Sequence, residues 1–235
     1  MLSSQEREHK RGKFGKKSSE GTKKYDELYA KFSQEGYSKA LAEEFSEYFV
    51  LDAKKPAPED IIQAVRLYDR IHDLKNASFF LGKLEENKKL TNEEKFLYCT
   101  EALINKSKLG NWRDAEDFRT ENINFMQKYS EKVDMNMLAD MYIALALSDC
   151  AAKHYGSAFR LLTGFGYKPQ GKNDKKLLDI LITGVYICAR SGDAASLENA
   201  VNNARAALGL FKEFDHSWTK EYYENRITEA SEGMI

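Results

Sequence analysis

The sequence predicts an all-α chain built from paired helices, on three observations. Proline is scarce, with 3 in 235 residues. Apolar side chains recur at i, i+3, i+4 and i+7, and few stretches alternate with period two. The stretch from Leu109 to Phe118, LGNWRDAEDF, reads as the bend of a helical hairpin. Gly110 and Asn111 break one helix, and Trp112 and Ala115 open the next on one face. That bend recurs along the chain, and paired helices at a fixed period of about 34 to 47 residues signal an α-solenoid.

The elements follow in order. Residues 1–22 are polar, with three glycines and several serines, and carry almost nothing apolar that could offset the entropy of ordering; they are expected to form a flexible tail. The helical domain is expected over 23–235. Tyr25, Leu28, Tyr29 and Phe32 make the first stripe; Gly36 breaks it, and Tyr37, Ala40, Leu41 and Phe45 start the second. Lys54–Pro58 ends that helix and begins another, with Pro58 in a first turn and Ile61, Ile62, Val65 and Tyr68 on the buried face. A bend at His72-Asp73 leads to Leu74, Ala77 and Leu81. Thr91 followed by Glu94 is a capping-box signature ahead of Phe96, Cys99, Leu103 and Ile104. After the Gly110 bend a helix is expected to Met126, another from Asp134 to Ala152, and its partner carries Tyr155, Ala158 and Leu162. Thr163–Asn173, with three glycines and Pro169, reads as a loop. Helices over 175–190 and 193–210 make the last hairpin, and Ser217 can cap a terminal helix bearing Trp218, Tyr222 and Ile227.

Aligning the bends on the first apolar residue of each second helix gives Tyr37, Leu74, Trp112, Tyr155 and Ala194, at spacings of 37, 38, 43 and 39. Three residues later stand Ala40, Ala77, Ala115, Ala158 and Leu197, where a small side chain lets helices approach. Nine residues earlier stand Leu28, Val65, Leu103, Ala146 and Val185, all apolar. In this frame Trp112 and Ala115 are expected to be packing residues between helices.

The bends Gly36-Tyr37-Ser38-Lys39-Ala40 and Gly110-Asn111-Trp112-Arg113-Asp114-Ala115 resemble those of the tetratricopeptide repeat family, with Gly, an aromatic residue and a following Ala. His154–Ala158 and Gly192–Leu197 are weaker copies. The resemblance covers roughly 23–211, but the spacings exceed 34 and the proline expected near each repeat end is mostly missing. It implies a right-handed α-solenoid of about five helix-turn-helix repeats plus a C-terminal capping helix. It also implies that first helices line a concave face on which peptide segments bind.

Composition bounds the class. The chain is 42% hydrophobic and 31% charged, ordinary for a soluble protein with a buried core. The net charge of −1 hides an asymmetry: residues 1–24 hold eight Lys/Arg against three acids, so a basic tail precedes a mildly acidic body. Cys99, Cys150 and Cys188 are far apart and odd in number, which suits a reducing compartment. No signal-like or membrane-spanning run is present in the sequence, and the expectation is a cytoplasmic protein without a membrane partner.

No catalytic or metal-binding constellation stands out, and neither an enzyme nor a cofactor is expected. His9, His72, His154 and His216 are scattered, without HExxH or paired i, i+4 spacing. Gly12-Lys13-Phe14-Gly15 has two residues between its glycines where a P-loop needs four, and no strand precedes it. Acidic pairs such as Glu43-Glu44 and Glu93-Glu94 read as solvated helix faces.

The expected function is therefore protein–protein interaction, as an adaptor or scaffold. Groove positions fall twelve, eight, five and four residues before each bend anchor. They give Tyr25, Tyr29 and Phe32; Ile62, Arg66, Asp69 and Arg70; Thr100, Ile104, Ser107 and Lys108; Ile143, Leu147, Cys150 and Ala151; and Ile182, Tyr186, Ala189 and Arg190. Arg70, Lys108 and Arg190 share one position, Arg66 lies a turn from Arg70, and Tyr25, Tyr29 and Tyr186 supply aromatic ends. Such a row fits an extended segment with acidic groups. The alternative is a nucleic-acid- or ribosome-associated protein using Lys10, Arg11, Lys13, Lys16 and Lys17 of the tail to neutralise phosphates. The terminal helix, with Trp218, Tyr222, Tyr223 and Ile227, could cap the stack or dock a second copy.

Overall fold

The computed structural model describes residues 23–24, 27–28, 31, 38–87, 89–169, 171, 174–211 and 220–235. Tyr25, Tyr29, Phe32, Gly36, Tyr37, Ser217, Trp218 and the whole basic tail, including Lys10, Arg11, Lys13, Lys16 and Lys17, lie outside the described residues. Among the described residues the chain is helical and holds no strand, as its class predicts. The chain divides into two compact units, one reaching Glu86 and one beginning at Asn87.

In the first unit, helix α1 (Lys39–Ser46) runs into a π-helical turn (Glu47–Leu51), followed by α2 (Pro58–Arg70) and α3 (Leu74–Glu85). Pro58 opens α2 as expected, where its missing N–H costs no hydrogen bond. Helix α2 packs between α1 and α3. Tyr68 stacks on Phe80 with ring centroids 5.4 Å apart, and its hydroxyl lies 3.1 Å from that of Ser46. The π turn was not legible in the sequence; it places Phe49 and Val50, neighbours in the chain, both in the core beside Phe45.

Glu44 ties the start of this unit together. Its carboxylate accepts from Lys24 Nζ at 2.6 Å and Lys31 Nζ at 2.9 Å. Those hydrogen bonds, Lys24 first, hold the Glu44 carboxyl below its ordinary range. A carboxyl depressed in the folded state contributes stability above its unfolded pKa, about 4.3 for Glu, and loses it as pH falls through the folded value. Glu44→Gln is therefore expected to lower the thermal midpoint above about pH 5 and to converge on the parent as the solution is acidified below the ordinary Glu range. A difference independent of pH would remove the ion pairs from the account.

The second unit holds α4 (Asn92–Lys108), α5 (Trp112–Ser130), α6 (Met135–Ala151), α7 (Tyr155–Gly164), α8 (Lys175–Ser191), α9 (Ala194–Gly209) and α10 (Lys220–Ser231). The capping box at its entrance is formed: Glu94 N–H donates to Thr91 Oγ1 at 3.2 Å, and Thr91 N–H to Glu94 Oε2 at 2.6 Å. The packing repeats. Helix α6 lies against α4 and α8, and α8 against α10; α5 packs on α4 and α6, α7 on α6 and α8, α9 on α8 and α10. Each second helix therefore bridges its own first helix and the next one.

Four of the aligned anchors, Leu74, Trp112, Tyr155 and Ala194, are the first residues of their helices. Ala77, Ala115 and Ala158, three residues on, are completely buried, whereas Ala40 is exposed and Leu197 half-buried; Leu28, Val65, Leu103, Ala146 and Val185, nine residues before the anchors, are all buried. Trp112 departs from its expected role. It is 43% exposed at the hairpin tip, with the Arg113 guanidinium 5.3 Å from its ring. Ala115, a turn deeper, makes the close helix contact, because only the inner turns of a hairpin reach the neighbouring helix.

The bends share a backbone device the sequence half hides. Two residues before each of these four anchors the chain is left-handed: His72 at φ 57°, Gly110 at 78°, Lys153 at 63° and Gly192 at 76°. An L side chain costs about 1–2 kcal/mol there, and glycine none. Lys153→Gly is expected to stabilise the second unit by about 0.5–1 kcal/mol and Gly192→Ala to destabilise it by about 1 kcal/mol. Urea midpoints moving in those opposite directions, at unchanged slope, are the check.

Candidate functional site

The candidate surface in the second unit is built on one face of α6 and α8. Helical spacing puts Asp140, Ile143, Leu147 and Cys150 on one stripe of α6, and Asp179, Ile182, Tyr186 and Arg190 on the corresponding stripe of α8. The two helices pack side by side, with α4 beyond α6 and α10 beyond α8.

Charge is ordered at the N-terminal end of this face. Lys176 Nζ bonds Asp140 Oδ1 and lies 3.8 Å from Asp179 Oδ2; Arg226 Nη1 donates to Asp179 Oδ1 at 2.6 Å. One ladder of alternating charge thus ties α6, α8 and α10. The loop after α7 is pinned beside it. Phe165 stacks on Tyr142 with centroids 4.5 Å apart, and the Tyr167 hydroxyl donates to the Asp174 carboxylate at 2.9 Å. Burial, reinforced by Asp174, pushes the Tyr167 phenol up, so it stays a neutral donor. Asp174 caps α8 as well, accepting from the N–H groups of Lys176 and Leu177 at 3.0 and 3.2 Å.

Behind these stripes lies an apolar core. Ile143, Leu147, Cys150, Ile180 and Ile187 form a core cluster with Ala158 and Leu162 of α7, and Ile104, Tyr155, Tyr186 and Ile235 pack on it half-buried. Burial pushes the Cys150 thiol up to about 11, and does the same to Cys99, so neither is a thiolate at neutral pH. All three cysteines are free and buried.

The residues singled out from the sequence divide as follows. Ile104, Tyr186 and Arg190 belong to the second unit; Ile104 and Tyr186 are half-buried on the cluster and Arg190 is exposed in the last turn of α8. Lys108 is half-buried in the last turn of α4. Ser107 is buried and its hydroxyl donates to Leu103 O at 2.6 Å, an internal helix bond. Arg66 and Arg70 are half-buried on α2 in the first unit. Ile143, Leu147, Cys150 and Ile182, expected to line an open groove, are instead buried. Sequence reasoning missed the ladder of Asp140, Lys176, Asp179 and Arg226, and also Ile235. Periodicity finds apolar stripes, whereas ion pairs 36 and 47 residues apart exist only once the helices are stacked. The apolar side of α10 is spent inside the unit, with Tyr223, Ile227 and Ala230 buried.

Among the described residues no group of three or more His, Cys, Asp or Glu side chains is placed to hold a metal ion. Nor is any described helix long and apolar enough to cross a membrane. The chain matches no protein-family model, no curated protein and no solved structure.

Proposed function

We propose that this chain is a non-enzymatic adaptor or scaffold whose helices stack as a tetratricopeptide-like, right-handed α-solenoid. A protein or peptide segment binds it on the face of the first helices. One observation carries the reading: α4, α6, α8 and α10 follow one another side by side, each hairpin closed by a second helix that also touches the next pair. That arrangement presents one continuous row of first helices, which is how helical repeats make extended binding surfaces. On that row the half-buried Tyr186 lies between a charge ladder and the exposed Arg190. Such a surface suits an extended segment with one apolar side chain and an acidic group near it.

The test is capture from a native lysate by the full chain, compared with Tyr186→Ala, Arg190→Ala and a chain lacking residues 1–22. A partner of the helical face is expected to be retained without the tail and to lose about tenfold in affinity on loss of Arg190, the worth of one charge-assisted hydrogen bond. Capture unaffected by Tyr186→Ala and Arg190→Ala overturns the reading. Capture of nucleic acid that vanishes with residues 1–22 would favour the tail instead.

A further inference from the structure

Ile235 is one of the half-buried side chains that pack against the apolar cluster of α6, α7 and α8. Helix α10 ends in a left-handed turn at Gly233, φ 78°, whose N–H donates to Ala230 O at 3.1 Å while Met234 N–H reaches back to Glu229 O at 2.9 Å. This pair of bonds is a Schellman-type ending, which reverses the chain direction after the helix. The reversal carries the chain past the C-terminal end of α8. A Cβ built on Gly233 would stand 3.4 Å from Arg190 Cδ, so the backbone runs along the aliphatic stem of Arg190. Met234 is 50% exposed, and Ile235 packs half-buried on the cluster of Ile143, Leu147, Cys150 and Ile187.

We propose that Gly233–Ile235 is a resident occupant of the α6–α8 surface, and that this surface takes from a partner an extended segment whose branched aliphatic side chain displaces Ile235. The inference rests on the partner-binding reading above and adds the chemistry of the ligand and the competitor it meets. The lining fixes the aliphatic preference. Leu147, Ile143 and Ile187 provide no hydrogen bond, and a polar side chain placed among them would lose its water without compensation. A tight turn must precede or flank the aliphatic residue, since the backbone has to pass the stem of Arg190 as Gly233 does. The Arg190 guanidinium, carried on that stem to the exposed edge, is placed to meet a carboxylate of the incoming segment. An occupant held in cis is present at an effective concentration of about millimolar. A partner's apparent affinity falls by the fraction of time the surface is covered, so the segment sets a threshold that weak ligands do not pass.

The three cysteines provide the readout. Cys150 lies in the cluster on which Ile235 packs, whereas Cys99 lies in the cluster of α4–α6 and Cys188 on α8 outside both clusters. Alkylation by iodoacetamide requires an accessible thiolate, so each rate reports the cover over its own cysteine. In Ile235→Asp, and in a chain ending after Glu232, Cys150 is expected to react at least tenfold faster than in the parent, with Cys99 and Cys188 unchanged. A peptide of residues 229–235, added at about millimolar concentration, restores protection in the shortened chain, and the same peptide with aspartate for isoleucine does not. Unchanged Cys150 reactivity overturns the proposal. So does a joint rise at all three cysteines, which would make Ile235 part of the fold and not a removable cover, and so does a peptide that fails to protect. A captured partner that depends on Tyr186 but binds the parent and the shortened chain equally also sinks the resident occupant while leaving the binding face standing.

Discussion

Leu103→Ala is expected to lower the stability of the second unit by about 3 kcal/mol, within the range of about 2–5 measured for buried leucine truncations. Leu103 is fully buried in a cluster with Phe96, Cys99, Ala115, Met126, Met141, Ala144 and Leu145, drawn from α4, α5 and α6. It sits where three helices meet, so the methyl groups removed are not replaced by a simple collapse of one neighbour. Amide hydrogen exchange across α4, α5 and α6 is the measurement, because it reads this unit separately from the first. Leu109→Ala is the matched control. Leu109 is 48% exposed, and its truncation is expected to change stability by no more than about 0.5 kcal/mol. Equal losses at the two positions would mean that the repeated apolar position nine residues before each bend is not a core position.

That position was legible because it depends on local periodicity and spacing alone. The helix starts at Leu74, Trp112, Tyr155 and Ala194, the Thr91–Glu94 box and the proline at Pro58 were legible for the same reason: each is a signal carried within a few residues. What failed to show has a common physical cause. His72 and Lys153 adopt the backbone that Gly110 and Gly192 adopt, yet no residue type announces it, since the surrounding helices impose the strain. Ile143, Leu147 and Cys150 carry the period of an exposed groove. They are buried in one cluster with Ala158 and Leu162 of α7 and Ile180 and Ile187 of α8, and such coverage is a property of neighbours distant in the chain. Tyr167 could be read only as a residue in a glycine-rich loop, since its partner Asp174 was not marked as the cap of α8.

The same distance dependence governs the largest polar effect expected. Arg119 on α5 bonds through Nη1 to Asp149 Oδ1 on α6, 30 residues away, and the Asp149 side chain keeps only 7% of its surface in water against 29% for Arg119. The ion pair thus joins a second helix to the first helix of the next pair, the contact on which the stacking depends. Arg119→Met is expected to destabilise the second unit by about 3 kcal/mol, the low end for breaking a buried pair, because it strands the Asp149 carboxylate out of water while Arg119 itself is partly exposed. Asp149→Leu in the parent is expected to cost less, since the arginine it leaves behind can reach solvent. Combining the two is expected to recover most of the loss, giving a coupling of at least about 1 kcal/mol in a double-mutant cycle. A deficit below about 1 kcal/mol for Arg119→Met, with no coupling, would place the pair with solvent-exposed salt bridges. In that case the junction between successive helix pairs would be held by apolar contacts such as Ala115 and Met126 against α6 alone.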